Sequence, residues 1–337
     1  MNLKEERYSK HALVREMMDT IDVVRRFDAG KTKAAARKIA SAGKLFLTGE
    51  GSSRIFPAKN AIRKALRWGL DLRVATDGSR QASEYDLSKF AVFLASNSGR
   101  TKEVVTLAKK LKSEGAKNRF GFSANAGTAL EAECVETFVL GCGWEQAVAA
   151  TKSVVEQALF YESIVRHVAG KPPADCAKLA DAVSSALTLP IEADLVDAAT
   201  QAQTIYFAGY NDGVAEELTL KTNEITRRKS DFLEGTYAVH GIEEVMSPKD
   251  VVFVVDPIVD ELGKFQEVLS QGVGLRVAAI SARETPFSTV RVPDMGELNP
   301  FVFLCAGWNL LVEIGLRLGI NLDKPERARK VGNEITG

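Results

Sequence analysis

Residues 96–101 read SNSGRT, three hydroxyl side chains and a glycine between an apolar run, VFLA, and a helical pattern that begins near Lys102. A helix N-terminus presents unpaired backbone N–H groups and a partial positive charge, so a junction of this kind is a ready anion site. Ser96, Ser98 and Thr101 add hydroxyl donors, Asn97 and Arg100 stand between them, and Gly99 lets the backbone approach a ligand without a Cβ in the way. Capping of the following helix by Ser98 or Thr101 accounts for the same residues. A second junction, residues 49–54 (GEGSSR), carries Ser52 and Ser53, with a plain capped turn as its alternative. Neither loop has the GxGxxG or GxxxxGKS spacing of nucleotide sites. Two serine-rich loops at one sheet edge suit a compact phosphate better.

Groups able to exchange protons near neutral pH are few. Histidine does so unperturbed, and a carboxylate does so when burial raises its pKa. The chain has 3 histidines, His11, His167 and His240, without HxH or HExxH spacing, so no metal site and no cofactor is expected. Residues 217–224 (ELTLKTNE) lie in an amphipathic helical pattern that puts Lys221 and Glu224 one turn apart on one face. A solvated ion pair has the same spacing. Cys134, Cys142, Cys176 and Cys305 lie far apart with no CxxC pair, the pattern of free, mostly buried thiols.

Short apolar runs alternating with helical patterns must position these residues. In the first half the runs are 44–51, 70–77, 89–99, 119–124 and 136–143, with helical patterns at 59–68 and 100–115 between them. The second half repeats the scheme at 204–210, 250–256, 275–282 and 289–293, with helical patterns at 213–228 and 260–271. Continuous apolar strands separated by helices describe parallel sheets covered on both faces. Pro172 and Pro173 interrupt a long helical stretch and set the expected boundary between a domain over 1–172 and one over 173–337.

With 337 residues the chain suits two cores better than one. Its 44 basic and 44 acidic residues cancel, which gives no broad electrostatic footprint for nucleic acid or an anionic membrane. The charged N-terminus lacks the apolar region of a secretory signal, and no stretch approaches about 20 uninterrupted apolar residues, so a cytoplasmic location is expected.

On these motifs the sequence resembles the double-domain branch of the sugar isomerase (SIS) family. That branch includes the isomerase half of glucosamine-6-phosphate synthase, stand-alone glucosamine-6-phosphate deaminases and fructosamine-6-phosphate deglycases. SNSGRT is similar to the family's SxSGxT phosphate loop, and EGSSR to its CGTS loop, with Ser53 at the serine that touches the sugar. EQAVAATK, residues 145–152, resembles ExxVASTK, which adds Val148 to the substrate-lining positions and leaves Ala150 where a serine is usual. ELTLKTNE resembles EGALKLKE; His240, sixteen residues beyond Glu224, matches the KHGP histidine; and DKPERARK, residues 323–330, resembles the DxPRNLAK tail, placing Lys330 on the family's lysine.

The resemblance implies an α/β fold of two SIS domains, each a parallel, doubly wound, flavodoxin-like sheet flanked by helices. It implies metal-independent chemistry on a small anionic sugar. Glu224 moves the carbon-bound proton through a cis-enediol, His240 opens the ring, and Lys221 and Lys330 hold hydroxyls or the developing oxyanion. A homodimer with active sites shared between subunits is implied as well. No glutaminase segment or cysteine after Met1 is seen, so amide-nitrogen transfer is not expected. Isomerisation, deamination and deglycation share the same enolisation and remain open, as does a non-catalytic sugar-phosphate sensor. Arg100 in the loop and the run Arg227, Arg228, Lys229, if they faced the substrate, would favour a sulfonated or doubly anionic sugar.

Overall fold

The computed structural model describes residues 1–330 and 333–335. It divides into two compact units, neither continuous in sequence. The first-sheet unit comprises Asp22–Glu145, Ala150–Cys176 and the described residues from Arg329 on, and the second-sheet unit Met1–Ile21, Gln146–Ala149 and Ala177–Ala328.

The first sheet contains β1 (Lys44–Gly49), β2 (Arg73–Gly78), β3 (Ala91–Ala95), β4 (Arg119–Ser123) and β5 (Glu136–Val139). All pairs are parallel, in the order β2-β1-β3-β4-β5. β3 and β4 are buried along their whole length; the unbroken apolar sequence of β3 is that of a strand covered on both faces, and in β4 the polar ends, Arg119 and Ser123, donate to Glu133 O and Asn125 O. Phe93 of β3 stacks on Phe120 of β4 at 4.9 Å, and Phe122 meets Phe160 of the Lys152–Val168 helix edge-on at 4.8 Å. Each ring so buried contributes about 1.5 to 3 kcal/mol. The same helix is tied to the Ile55–Arg67 helix by a buried cluster in which Lys64 and Arg166 both donate to Glu162.

The second sheet contains β6 (Ile205–Gly209), β7 (Ser230–Glu234), β8 (Val251–Val255), β9 (Arg276–Ser281) and β10 (Ser288–Arg291). Its order, β10-β9-β8-β6-β7, is that of the first sheet when counted from its own first strand. The repeat extends to single atoms. A Cβ built on Gly49, the last residue of β1, would lie 2.8 Å from the carbonyl oxygen of Ala95 at the end of β3, and one on Gly209 of β6 would lie 2.9 Å from that of Val255 at the end of β8. In both sheets the first and third strands approach too closely there for any side chain.

Two of the elements without a counterpart among the sequence expectations build the second-sheet unit around Glu224. β7 reads SDFLE, too short and too charged to stand out, because it is an edge strand with Leu233 as its one buried side chain. The Asn299–Arg317 helix is apolar nearly all round, so it carries no amphipathic stripe. With its preceding turn, Gly296–Arg317 spans 22 residues and holds an 18-residue window of mean hydropathy 1.3, long and apolar enough to cross a membrane, but 89% of that window is buried inside the fold. It is the central core helix of the second-sheet unit. The Val214–Thr226 helix lies against it, and Gly307 makes the approach possible, since an added Cβ would fall 2.3 Å from Leu218 Cδ2.

Candidate active site

In the first sheet the connections after β1 and β3 diverge, β1 leading to β2 on one side and β3 to β4 on the other. Open parallel sheets bind ligands in the crevice this leaves at the carboxyl ends of the strands. Both serine loops lie there, directly after Gly49 and Ala95.

The loop after β3 is held by its own hydroxyls. Ser96 is 2% exposed; its N–H donates to Phe122 O (2.9 Å), and its Oγ accepts from Thr101 N–H (3.3 Å) and lies 2.8 Å from Thr101 Oγ1. Ser98 Oγ accepts from Arg100 N–H at 3.1 Å. Gly99 has φ +66°, and a Cβ there would lie 2.4 Å from Thr128 Cβ, so both conformation and space demand glycine. Neither Ser98 nor Thr101 caps the Lys102–Ser113 helix. Its first N–H, that of Lys102, is instead taken by Asn333 O (3.0 Å), as the C-terminal segment pairs with the loop through an antiparallel bridge between Thr101 and Glu334. Ile335 N–H donates to Arg100 O at 3.0 Å, and Asn333 Nδ2 to Glu103 Oε1 at 2.6 Å.

In the loop after β1, Ser52 is buried and Ser53 half-buried in a tight turn, Gly51–Ser53. Neither serine caps the Ile55–Arg67 helix. Gln157 Nε2 donates to Ser53 O at 2.7 Å, fixing this loop on the Lys152–Val168 helix. The equivalent loops of the second sheet read YNDG after β6 and DPIV after β8. They carry Asp212 and Asp256 in place of serines, so the hydroxyl-rich cradle is built once.

Glu145 links the loop to the C-terminal segment, a role that its motif did not reveal. It has no exposed surface and accepts from Asn97 Nδ2 (2.7 Å), Ser153 Oγ (2.6 Å) and Thr151 N–H (2.7 Å), with Lys330 Nζ at 3.7 Å. Burial by itself would raise its pKa; Lys330, Ser153 and the backbone donors outweigh burial and hold it below the ordinary carboxylate value. The partners, at positions 97, 153 and 330, are too far apart in sequence to be paired by spacing. Arg100 is exposed. Val148 belongs to the second-sheet unit, where its N–H donates to Asp323 O at 3.0 Å.

In the second-sheet unit, Lys221 is fully buried on the Val214–Thr226 helix, with Nζ 3.3 Å from Glu217 Oε1 and 2.7 Å from Glu224 Oε2. Burial would lower its pKa, but Glu224 and Glu217 together raise it, so the ammonium form is secured. Of the three side chains, Glu217 and Lys221 have no exposure and Glu224 has 25%. Only Glu224 can reach a ligand. Lys221, expected to hold substrate hydroxyls, is spent on its two carboxylates and cannot do so from this position.

His240 is exposed, follows β7 through the Tyr237–Val239 turn, and has no side-chain hydrogen bond or ion pair among the described residues. Glu224 stands near the end of a helix that precedes β7, and His240 beyond that strand's far end. β7, five residues and about 17 Å long, stands between the helix end that carries Glu224 and the turn that carries His240. Among the described residues His240 makes no hydrogen bond or ion pair with Glu224. The run after the helix is likewise turned to other tasks: Arg227 donates to Ile225 O at 2.7 Å and to Asn321 O, and Arg228 to Ala202 O.

No family model matches the sequence, and no curated protein matches it. Among solved structures it is similar to the C-terminal domain of glucosamine-fructose-6-phosphate aminotransferase from Francisella tularensis (16% identity, 94% of this chain and 98% of that one, TM-score 0.75). It is also similar to glucosamine-6-phosphate deaminase from Thermotoga maritima (19%, 95% and 99%, TM-score 0.74) and to tagatose-6-phosphate ketose/aldose isomerase from Escherichia coli (17%, 95% and 98%, TM-score 0.75). At these identities what is shared is the fold, over nearly the full length of each chain.

Proposed function

We propose that the protein is a sugar isomerase or deaminase acting on a small phosphorylated sugar, which it opens and enolises. The serine loops after β1 and β3 receive the anion. Their position beside the reversal of strand order supports this. Glu224 takes the proton from the carbon next to the open-chain carbonyl or imine, and the electron pair of that C–H bond moves into the cis-enediol or enolamine. The carbonyl oxygen gains a proton as the enediol or enolamine forms; return of the carbon-bound proton to the neighbouring carbon, with loss of the proton from the other oxygen or nitrogen, completes the isomerisation, and for an amino sugar water then adds to the resulting imine and ammonia leaves. Lys221 positions Glu224, Lys330 supports the developing oxyanion, and His240 shuttles the ring-opening proton.

The observation that carries the reading is the Glu217–Lys221–Glu224 cluster, in which two side chains are wholly buried and a single carboxylate is left accessible. A solvated surface pair would not bury its lysine. The test is hydrogen exchange in deuterated water with glucosamine 6-phosphate and with fructose 6-phosphate, followed by proton magnetic resonance. Loss of the signal at C1 or C2 is expected, and Glu224→Gln should slow it by about 100-fold or more while leaving sugar binding intact. Binding of an anionic sugar without exchange would identify a sensor and overturn the catalytic reading.

A further inference from the structure

The chain is electrically neutral, with 44 basic and 44 acidic residues, yet one cleft of about 870 Å³ in the second-sheet unit is lined by Arg227, Arg228, Lys229, Lys324 and Arg327 with Glu326 as the one carboxylate. Cations at a helix C-terminus are stabilising, and this explains part of the cluster. Arg227 and Arg228 follow the Val214–Thr226 helix and donate to the carbonyls of Ile225, Asn321 and Ala202. It does not explain Lys229, Lys324 and Arg327. Their charged ends have no hydrogen bond or ion pair among the described residues.

The corner is built, not loose. Arg227 has φ +54°, a left-handed conformation unfavourable for a residue with a side chain, and its guanidinium bonds hold it there. Arg228 Nε is buried without a hydrogen-bond partner among the described residues, a donor left over after the bond to Ala202.

We propose that this cleft is a second anion site, separate from the serine loops, for a small molecule bearing two or more phosphoryl groups. Five cations and one carboxylate leave a net charge of four positive, which a single phosphate dianion does not balance and a diphosphate or bisphosphate does. The volume is that of a ligand pocket, larger than one phosphate needs. Lys324 and Arg327 belong to the segment that runs on to Lys330, so a ligand bridging them to Arg228 and Lys229 ties down the residues next to that lysine. Occupancy would regulate the site without sharing its chemistry.

Inorganic pyrophosphate is the probe, titrated calorimetrically into the whole chain and compared with inorganic phosphate. Pyrophosphate should bind at least about tenfold more tightly and slow tryptic cleavage after Arg329. The double variant Lys324→Gln/Arg327→Gln, and Lys229→Gln, should each weaken it by about tenfold and remove the protection, whereas Ser98→Ala should leave it within about twofold. These side chains are solvent-facing, so the variants fold. Pyrophosphate affinity unchanged in the lysine and arginine variants, lost in Ser98→Ala, or no better than that of phosphate overturns the proposal. None of these measurements depends on turnover, so they stand apart from the exchange experiment.

Discussion

Glu145 has no exposed surface, and its charge is kept by Asn97, Ser153, the Thr151 N–H and Lys330. Because its folded-state pKa lies below the unfolded one, its contribution to stability is present above the ordinary carboxylate range and is lost as pH falls through the lowered value. Urea unfolding of the wild type and Glu145→Gln should therefore differ most near neutral pH and converge as pH falls below the ordinary carboxylate range. A difference that does not change with pH would mean that the loss is one of shape and not of charge. Lys221 is the opposite case: its pKa is raised, so its ion pairs hold through neutrality and fail only when pH rises above the usual lysine range.

The elements that carry Glu224 depend on close packing that glycine permits. Gly307→Ala forces a methyl group against Leu218 and should destabilise the protein by about 1 to 3 kcal/mol, with Leu218→Ala added to Gly307→Ala costing less than the two changes summed. Denaturant unfolding of the four proteins checks this, and full additivity would refute the contact. Elements buried on both faces, such as β3 and β8, were legible because continuous apolar runs have few other uses. β7 was not, since an edge strand needs only Leu233 inside, and the Asn299–Arg317 helix was not, since burial on every side erases its period. The serine loops were legible as local motifs. Their fastening was not: the bonds from Asn97 to Glu145 and from Lys102 to Asn333 join residues that only the folded chain brings together.

At the scale of the molecule, Glu224 and His240 lie toward opposite ends of β7, and we propose that joint action takes His240 from another copy. In a two-fold dimer built this way, mixing inactive Glu224→Gln with inactive His240→Asn and allowing subunits to exchange should restore about a quarter of wild-type turnover, since half of the dimers carry one intact site in two. No recovery after proven exchange would refute site sharing. The pairing of Asn333 with Glu103 spans 230 positions of chain. A ribosome releases the amino-terminal part first, at a pace that lets β1 to β5 meet while the second sheet is still being made. The residues that latch onto Arg100, Thr101 and Lys102 are made only after β10. During synthesis the loop after β3 therefore waits on an otherwise formed sheet for a distant segment to close it.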